Sequence, residues 1–182
     1  MDEDEQFPYL VPLKARIREG LAAGKAYLGF CLGHQLLAHV LGCRVGPLPQ
    51  KSVGFITGEL TPAGMAHPVF QGLPSSLHLF KWHGQGVLPP LPAGVSLLAR
   101  SAAAPVEALG LEDNPRVLGL QFDNHAAARD VAVWLTHDGD WALKGSGADP
   151  SVINARALAQ EAAMGREFRL FMANFFRLIW VP

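Results

Sequence analysis

The stretch Tyr27-Leu28-Gly29-Phe30-Cys31-Leu32-Gly33-His34-Gln35-Leu36-Leu37 constrains the fold more than any other part of this chain. Ala26 to Phe30 is a short apolar run of the kind that forms a buried strand, and it stops at a cysteine set between Gly29 and Gly33. Leu36, Leu37, Val40 and Leu41 then recur at helical spacing, with Gly42 placed to cap the helix. A strand turning sharply into a helix with a nucleophile at the bend is an elbow, and the flanking glycines relieve crowding where the backbone takes strained dihedrals. The helix N-terminus would aim N–H groups at the sulfur, so the spacing predicts a thiol biased toward thiolate. On Cys31 alone a plainer reading stays open, that of a small buried hydrophobe at a strand end.

The remaining pattern supplies a scaffold for such an elbow. With 182 residues, 49% apolar and 17% charged, the chain reads as one globular domain over 1–182. Residues 1–9 form an acidic lead-in, the opposite of a signal-peptide start. Leu13, Ile17 and Leu21 mark an amphipathic helix closed by Gly24. Strands are expected at Cys43–Val45 (ended by Pro47 and Pro49), Phe55–Leu60, Ser76–Trp82, Val95–Ala99, Val106–Leu111 and Val117–Phe122. Helices follow at Ala126–His137 and through a C-terminal helical segment, 140–182, which reads as one helix to Met164 and another carrying Phe168, Phe171, Met172 and Phe175. That aromatic stripe has the spacing of core packing.

Helices alternating with short buried strands predict an α/β three-layer sandwich with a mostly parallel sheet. Sites in such sheets lie at the carboxyl ends of strands, where Cys31, His83 and Asp123-Asn124-His125 all fall. A net charge of -1 offers no pull toward nucleic acid, and no apolar run reaches the ~18 residues of a membrane span. Two cysteines, Cys31 and Cys43, make no disulfide framework, and a free reactive thiol fits a cytoplasmic setting. There is no phosphate-binding glycine loop and no metal-ligand spacing, so neither cofactor nor metal is expected.

The string Gly29-x-Cys31-x-Gly33-His34-Gln35 resembles the nucleophile motif of class I, triad-type glutamine amidotransferases, whose fold is flavodoxin-like. The resemblance covers roughly residues 3 to 180 and is strongest over 26–42 and 80–122. It implies that Cys31 attacks the side-chain amide of glutamine, or of a glutamine-like amide, and releases ammonia through a thioester. It also implies that the Leu32 N–H steadies the oxyanion, and that Gly29, Gln35, Trp82 and His83 lie on the substrate side. Gln85 stands where the family's Trp-His-Gly segment continues with an acid.

The decisive departure is Gln121-Phe122-Asp123-Asn124-His125. The family reads Gln-Phe-His-Pro-Glu there, so Asp123 takes the place of the base histidine and His125 that of its carboxylate partner. Both chemical types are present in reversed order, and His125 would have to swing toward Cys31 with Asp123 behind it. The family also carries a strand, a helix and a strand ahead of the matched region, whereas only 25 residues precede the apolar nucleophile run here. The expectation is a weakened oxyanion site and an open sheet edge that recruits a second copy or a partner protein. Three readings follow: a glutaminase, a hydrolase of γ-glutamyl amides, or a catalytically impaired binding or interaction module.

Overall fold

Residues 5–180 are described by the computed structural model; the first four residues of the acidic lead-in and the last two of the C-terminal segment lie outside the described residues. The element order is α1 (Leu10–Ala22), β1 (Tyr27–Phe30), α2 (Leu32–Val40), β2 (Arg44–Leu60), α3 (Pro62–Ala66), β3 (Ser76–Leu88), β4 (Val95–Ser101), β5 (Ala108–Leu111), β6 (Asn114–Leu120), α4 (Ala128–Leu143) and α5 (Pro150–Trp180). The strands form one sheet of order β1-β6-β5-β4-β2-β3.

The α/β three-layer architecture is as expected, but the sheet is mixed rather than mostly parallel. Only β1 and β6 run parallel, while β6/β5, β5/β4, β4/β2 and β2/β3 are antiparallel. A parallel neighbour needs a crossover long enough to traverse a face of the sheet. No such helix lies between β3 and β6, and β5 returns as β6 across Glu112 and Asp113 alone, so these strands fold straight back.

Two separate strands were expected where β2 runs unbroken for 17 residues. Its register against β3 slips between Pro47 and Ser52, and β4 joins it only from Gly58 to Leu60. Over its first half β2 therefore has one neighbour, and a missing proline N–H on the free side costs no ladder bond. β3 likewise continues past His83 to Leu88. The two expected C-terminal helices are a single α5 of 31 residues, since Gly165 is tolerated mid-helix at a cost of about 1 kcal/mol.

The core lies on both faces of the sheet. On one face Leu37 and Ala38 of α2 pack with Val87, Leu109 and Val117. On the other, Phe171 and Phe175 of α5 close over Leu79, Leu98, Leu118 and Leu120. The aromatic stripe is thus core, as its spacing predicts. β1 ends the sheet, hydrogen-bonded to β6 on one side; among the described residues no strand pairs with its other side.

Phe171 is 4% exposed, with its ring 5.6 Å from that of Phe70. Replacing it with alanine should cost about 3–5 kcal/mol in urea denaturation. A loss under about 1 kcal/mol would show that α5 does not carry that side of the core.

Candidate active site

Cys31 is the one described non-glycine residue with positive φ, at φ 45° and ψ −101°. Such a conformation persists only where its surroundings enforce it. Here the Cys31 N–H donates to the Leu120 carbonyl at 2.8 Å, tying the bend to β6. The Gln35 N–H donates back to the Cys31 carbonyl at 3.1 Å, and the Tyr27 hydroxyl donates to the Gly33 carbonyl at 2.9 Å. Gly29 admits no side chain, because a Cβ there would stand 2.5 Å from the carbonyl carbon of Gly33. The elbow expected from the sequence is therefore present.

Strand alternation distributes the side chains around it. Lys81 and His83 point from β3 toward the elbow and are buried, whereas Trp82 points through the sheet onto Phe80 and Trp134. Trp82 and His83 are neighbours in sequence, but only His83 shares the cysteine's face. His83 Nδ1 lies 2.8 Å from the Gln85 carbonyl, which also accepts from Gln35 Nε2 at 3.0 Å. Gln35 Nε2 reaches Gln121 Oε1 at 3.2 Å, and Gln121 Nε2 lies 3.8 Å from Cys31 Sγ. Gln35 thus acts on the sulfur's surroundings through Gln121. His34 is fully buried against Gly119, where a Cβ would come within 2.7 Å of its Nδ1.

The 121–126 segment settles the reversed pair. The Gln121 N–H donates to the Glu107 carbonyl at 2.8 Å and the Asp123 N–H to the Phe80 carbonyl at 2.9 Å. Asn124 Oδ1 accepts from the Phe80 N–H at 2.9 Å, and its Nδ2 donates to the His78 carbonyl at 2.6 Å. With the backbone held this way, the Asp123 carboxyl is buried beside the Cys31 thiol, close enough that each group shifts the other's ionisation. His125 turns outward, its ring 5.2 Å from Phe30 and 6.4 Å from Phe168, and no hydrogen bond joins it to Cys31 or Asp123 among the described residues. The structure brings Cys31 and Asp123 together and sets His125 apart.

Two further groups escaped the sequence reading. Lys81 and Glu107 form an ion pair with both side chains at 0% exposure, and Ser101 Oγ donates to the other Glu107 oxygen at 2.6 Å. Their signal was available: Lys81 sits on the inward side of the Leu77, Leu79 alternation, and Glu107 interrupts the apolar run from Val106 to Leu111.

The electrostatics oppose a thiolate. Burial, then the neighbouring Asp123 charge, pushes the Cys31 thiol up to about 12, against the smaller pull of Lys81 and the Leu32 N–H. The helix N-terminus, from which thiolate was expected, is thus outweighed by desolvation and a nearby carboxylate. Burial also raises Asp123 to about 7, with Lys81 opposing. His34 and His83 are held neutral near about 3, chiefly by burial.

These groups write opposite slopes into the stability of the fold. The folded chain keeps a proton on Asp123 that the unfolded chain has released, so this contribution falls as pH rises from about 4 to about 7. The buried histidines act the other way: stability is lost as pH falls from about 6.5 toward about 3. Asp123→Asn removes only the first slope. Relative to the parent it should gain up to about 4 kcal/mol between about pH 4 and pH 7, read by urea denaturation at each pH. Parallel stability curves for the two proteins would contradict this.

Comparison with known proteins agrees with the elbow and the fold. The family model described as glutamine amidotransferase class-I matches residues 6–123. A glutamine-hydrolysing GMP synthase of Thermomicrobium roseum is 39% identical over 107 residues, covering 59% of this chain and 19% of that protein. One of the subunits of the glutamine-hydrolysing GMP synthase of Thermococcus kodakarensis is 38% identical over 100 residues, covering 55% of this chain and 50% of that one. The chain therefore spans half or less of the length of these relatives. A solved glutamine amidotransferase from Thermotoga maritima superposes with a TM-score of 0.84 at 26% identity, covering 96% of this chain and 72% of that one. The match of the family model across the elbow and the inward strands makes this chain a member of the class I glutamine amidotransferase family.

Proposed function

We propose that this chain is a slow glutaminase-type domain, in which Asp123 takes the proton of Cys31 where relatives use histidine. One observation carries the reading: the Asp123 carboxyl, at the sequence position of the family's base, is buried beside the nucleophile's thiol and interacts with it electrostatically. In the first step Cys31 Sγ attacks the side-chain amide carbon of glutamine, or of a γ-glutamyl amide, while the thiol proton passes to the Asp123 carboxylate. The nitrogen leaves as ammonia after taking that proton, and water cleaves the thioester to release the acid. The Leu32 N–H faces the sulfur at rest and so lies close to where the substrate's oxyanion would form.

Slowness follows from the proton's preference. Moving it from a thiol at about 12 to a carboxyl at about 7 costs on the order of 5–7 kcal/mol. A histidine that took the proton would become a cation beside the thiolate, whereas Asp123 becomes neutral on taking it and leaves the thiolate without that stabilisation. His125, Trp82 and Gly29 then serve structure: an aromatic contact on Phe30, a core contact on Trp134, and the close approach at Gly33. The unpaired side of β1 is where this reading puts a partner subunit or a second copy, and the Thermococcus relative, itself named as one subunit of its enzyme, is consistent with such a division of labour.

A steady-state ammonia-release assay with glutamine tests the proposal, with Cys31→Ser as blank. Turnover should fall at least about 100-fold below the ~10 per second typical of enzymes, and Asp123→His should raise it about tenfold or more. A parent enzyme turning over near the typical value, or an Asp123→His variant slower than the parent, would refute the assigned role.

A further inference from the structure

We propose that Lys81, clamped by Glu107, is a positioning residue of the Cys31–Asp123 site, its buried ammonium supplying the positive charge against which the thiol–carboxyl pair exchanges its proton. The inference rests on the proposed role of Asp123. It comes from how three chain segments meet.

Lys81 lies on β3 beside Phe80, whose carbonyl accepts the Asp123 N–H at 2.9 Å. Glu107, at the entrance to β5, offers its carbonyl to the Gln121 N–H at 2.8 Å. Backbone hydrogen bonds therefore seat the Lys81–Glu107 pair alongside the segment that carries Asp123, on the face of the sheet that holds the elbow. The pair is dry, with both side chains at 0% exposure, and the second Glu107 oxygen is taken by Ser101 Oγ at 2.6 Å.

Burying an ammonium is costly, and a fully buried ion pair is seldom a gain in stability over an apolar one. Its placement here has a local consequence. The groups facing Lys81 are Glu107, Asp123 of the 121–126 segment, Cys31 of the elbow, His34 of α2 and His83 of β3. Two of these are neutral imidazoles, and Glu107 is committed to Lys81. The variable charge left in the cluster is the one proton shared by Cys31 and Asp123. Whether it sits on sulfur or oxygen, the negative charge on the other atom is answered by Lys81. Glu107 and Ser101 fix the lysine's rotamer, so the cation needs no reorganisation when the proton moves.

The readout is the rate at which iodoacetamide alkylates Cys31, followed across pH by mass spectrometry of the folded chain. No glutamine is involved, so the result stands even if the protein releases no ammonia. Lys81→Met alone would strand Glu107, so the Lys81→Met/Glu107→Gln double variant is used. Its rate profile should move to higher pH, with alkylation at pH 8 slower by about tenfold or more. Lys81→Arg keeps the charge and should keep the parent's profile. A folded double variant with the parent's profile, or a Lys81→Arg variant displaced as far as the double variant, would overturn the proposal.

A second measurement needs no charge-deleting variant at Lys81. In nitrogen-15 lysine-labelled parent protein, the Lys81 Nζ resonance, identified by its absence from Lys81→Arg, should shift with a midpoint near the Asp123 value of about 7. Asp123→Asn should abolish that step. A resonance that stays still through this range in the parent overturns the proposal equally.

Discussion

The backbone hydrogen bonds of residues 121–126 decide what kind of site this fold presents. Gln121 is tied to Glu107, Asp123 to Phe80, and the Asn124 side chain to β3 on both its donor and acceptor sides. With the chain anchored at those points, side chains alternate inward and outward with no freedom to exchange places. Asp123 meets the thiol and His125 lies on Phe30. A histidine and a carboxylate in the right stretch of sequence do not make a catalytic pair when the anchors select the wrong one of them.

Desolvation then sets the charge state. The cysteine's face of the sheet holds one lysine, two carboxyl groups, a thiol and two neutral histidines, nearly all shielded from water. One carboxylate is neutralised directly by the lysine. The other shares its proton with the thiol, and burial keeps both reluctant to ionise. The strained elbow is intact, so the geometry of attack is preserved while the electrostatics of attack are weakened. That combination is why we read the domain as slow rather than dead.

The elbow was legible in the sequence because its signal is local: an apolar run, glycines at fixed distances from one cysteine, then helical spacing. The aromatic stripe of α5 was legible for the same reason. Sheet direction was not, because it depends on how strands turn back between β3 and β6, and periodicity alone does not report that. The prolines at 47 and 49 read as strand ends because their tolerance depends on an empty neighbouring position, which only the sheet order reveals. At the site, the substitution of Asp123 was visible as a departure, but its contact with Cys31 depends on Asn124 and Phe80, residues from separate segments. The bias toward thiolate failed because a helix terminus is a local effect, while burial and Asp123 act through the tertiary fold.

Reactivity in this fold turns on the protonation state of Cys31. Thiolate absorbance, taken as the difference between the parent and Cys31→Ser and followed with rising pH, measures it directly. We expect no thiolate from Cys31 through about pH 9, beyond the ordinary cysteine value of about 8.5, with ionisation only at more alkaline pH. A titration centred below about pH 8 would contradict the account, because Cys31 would then be an activated nucleophile despite Asp123.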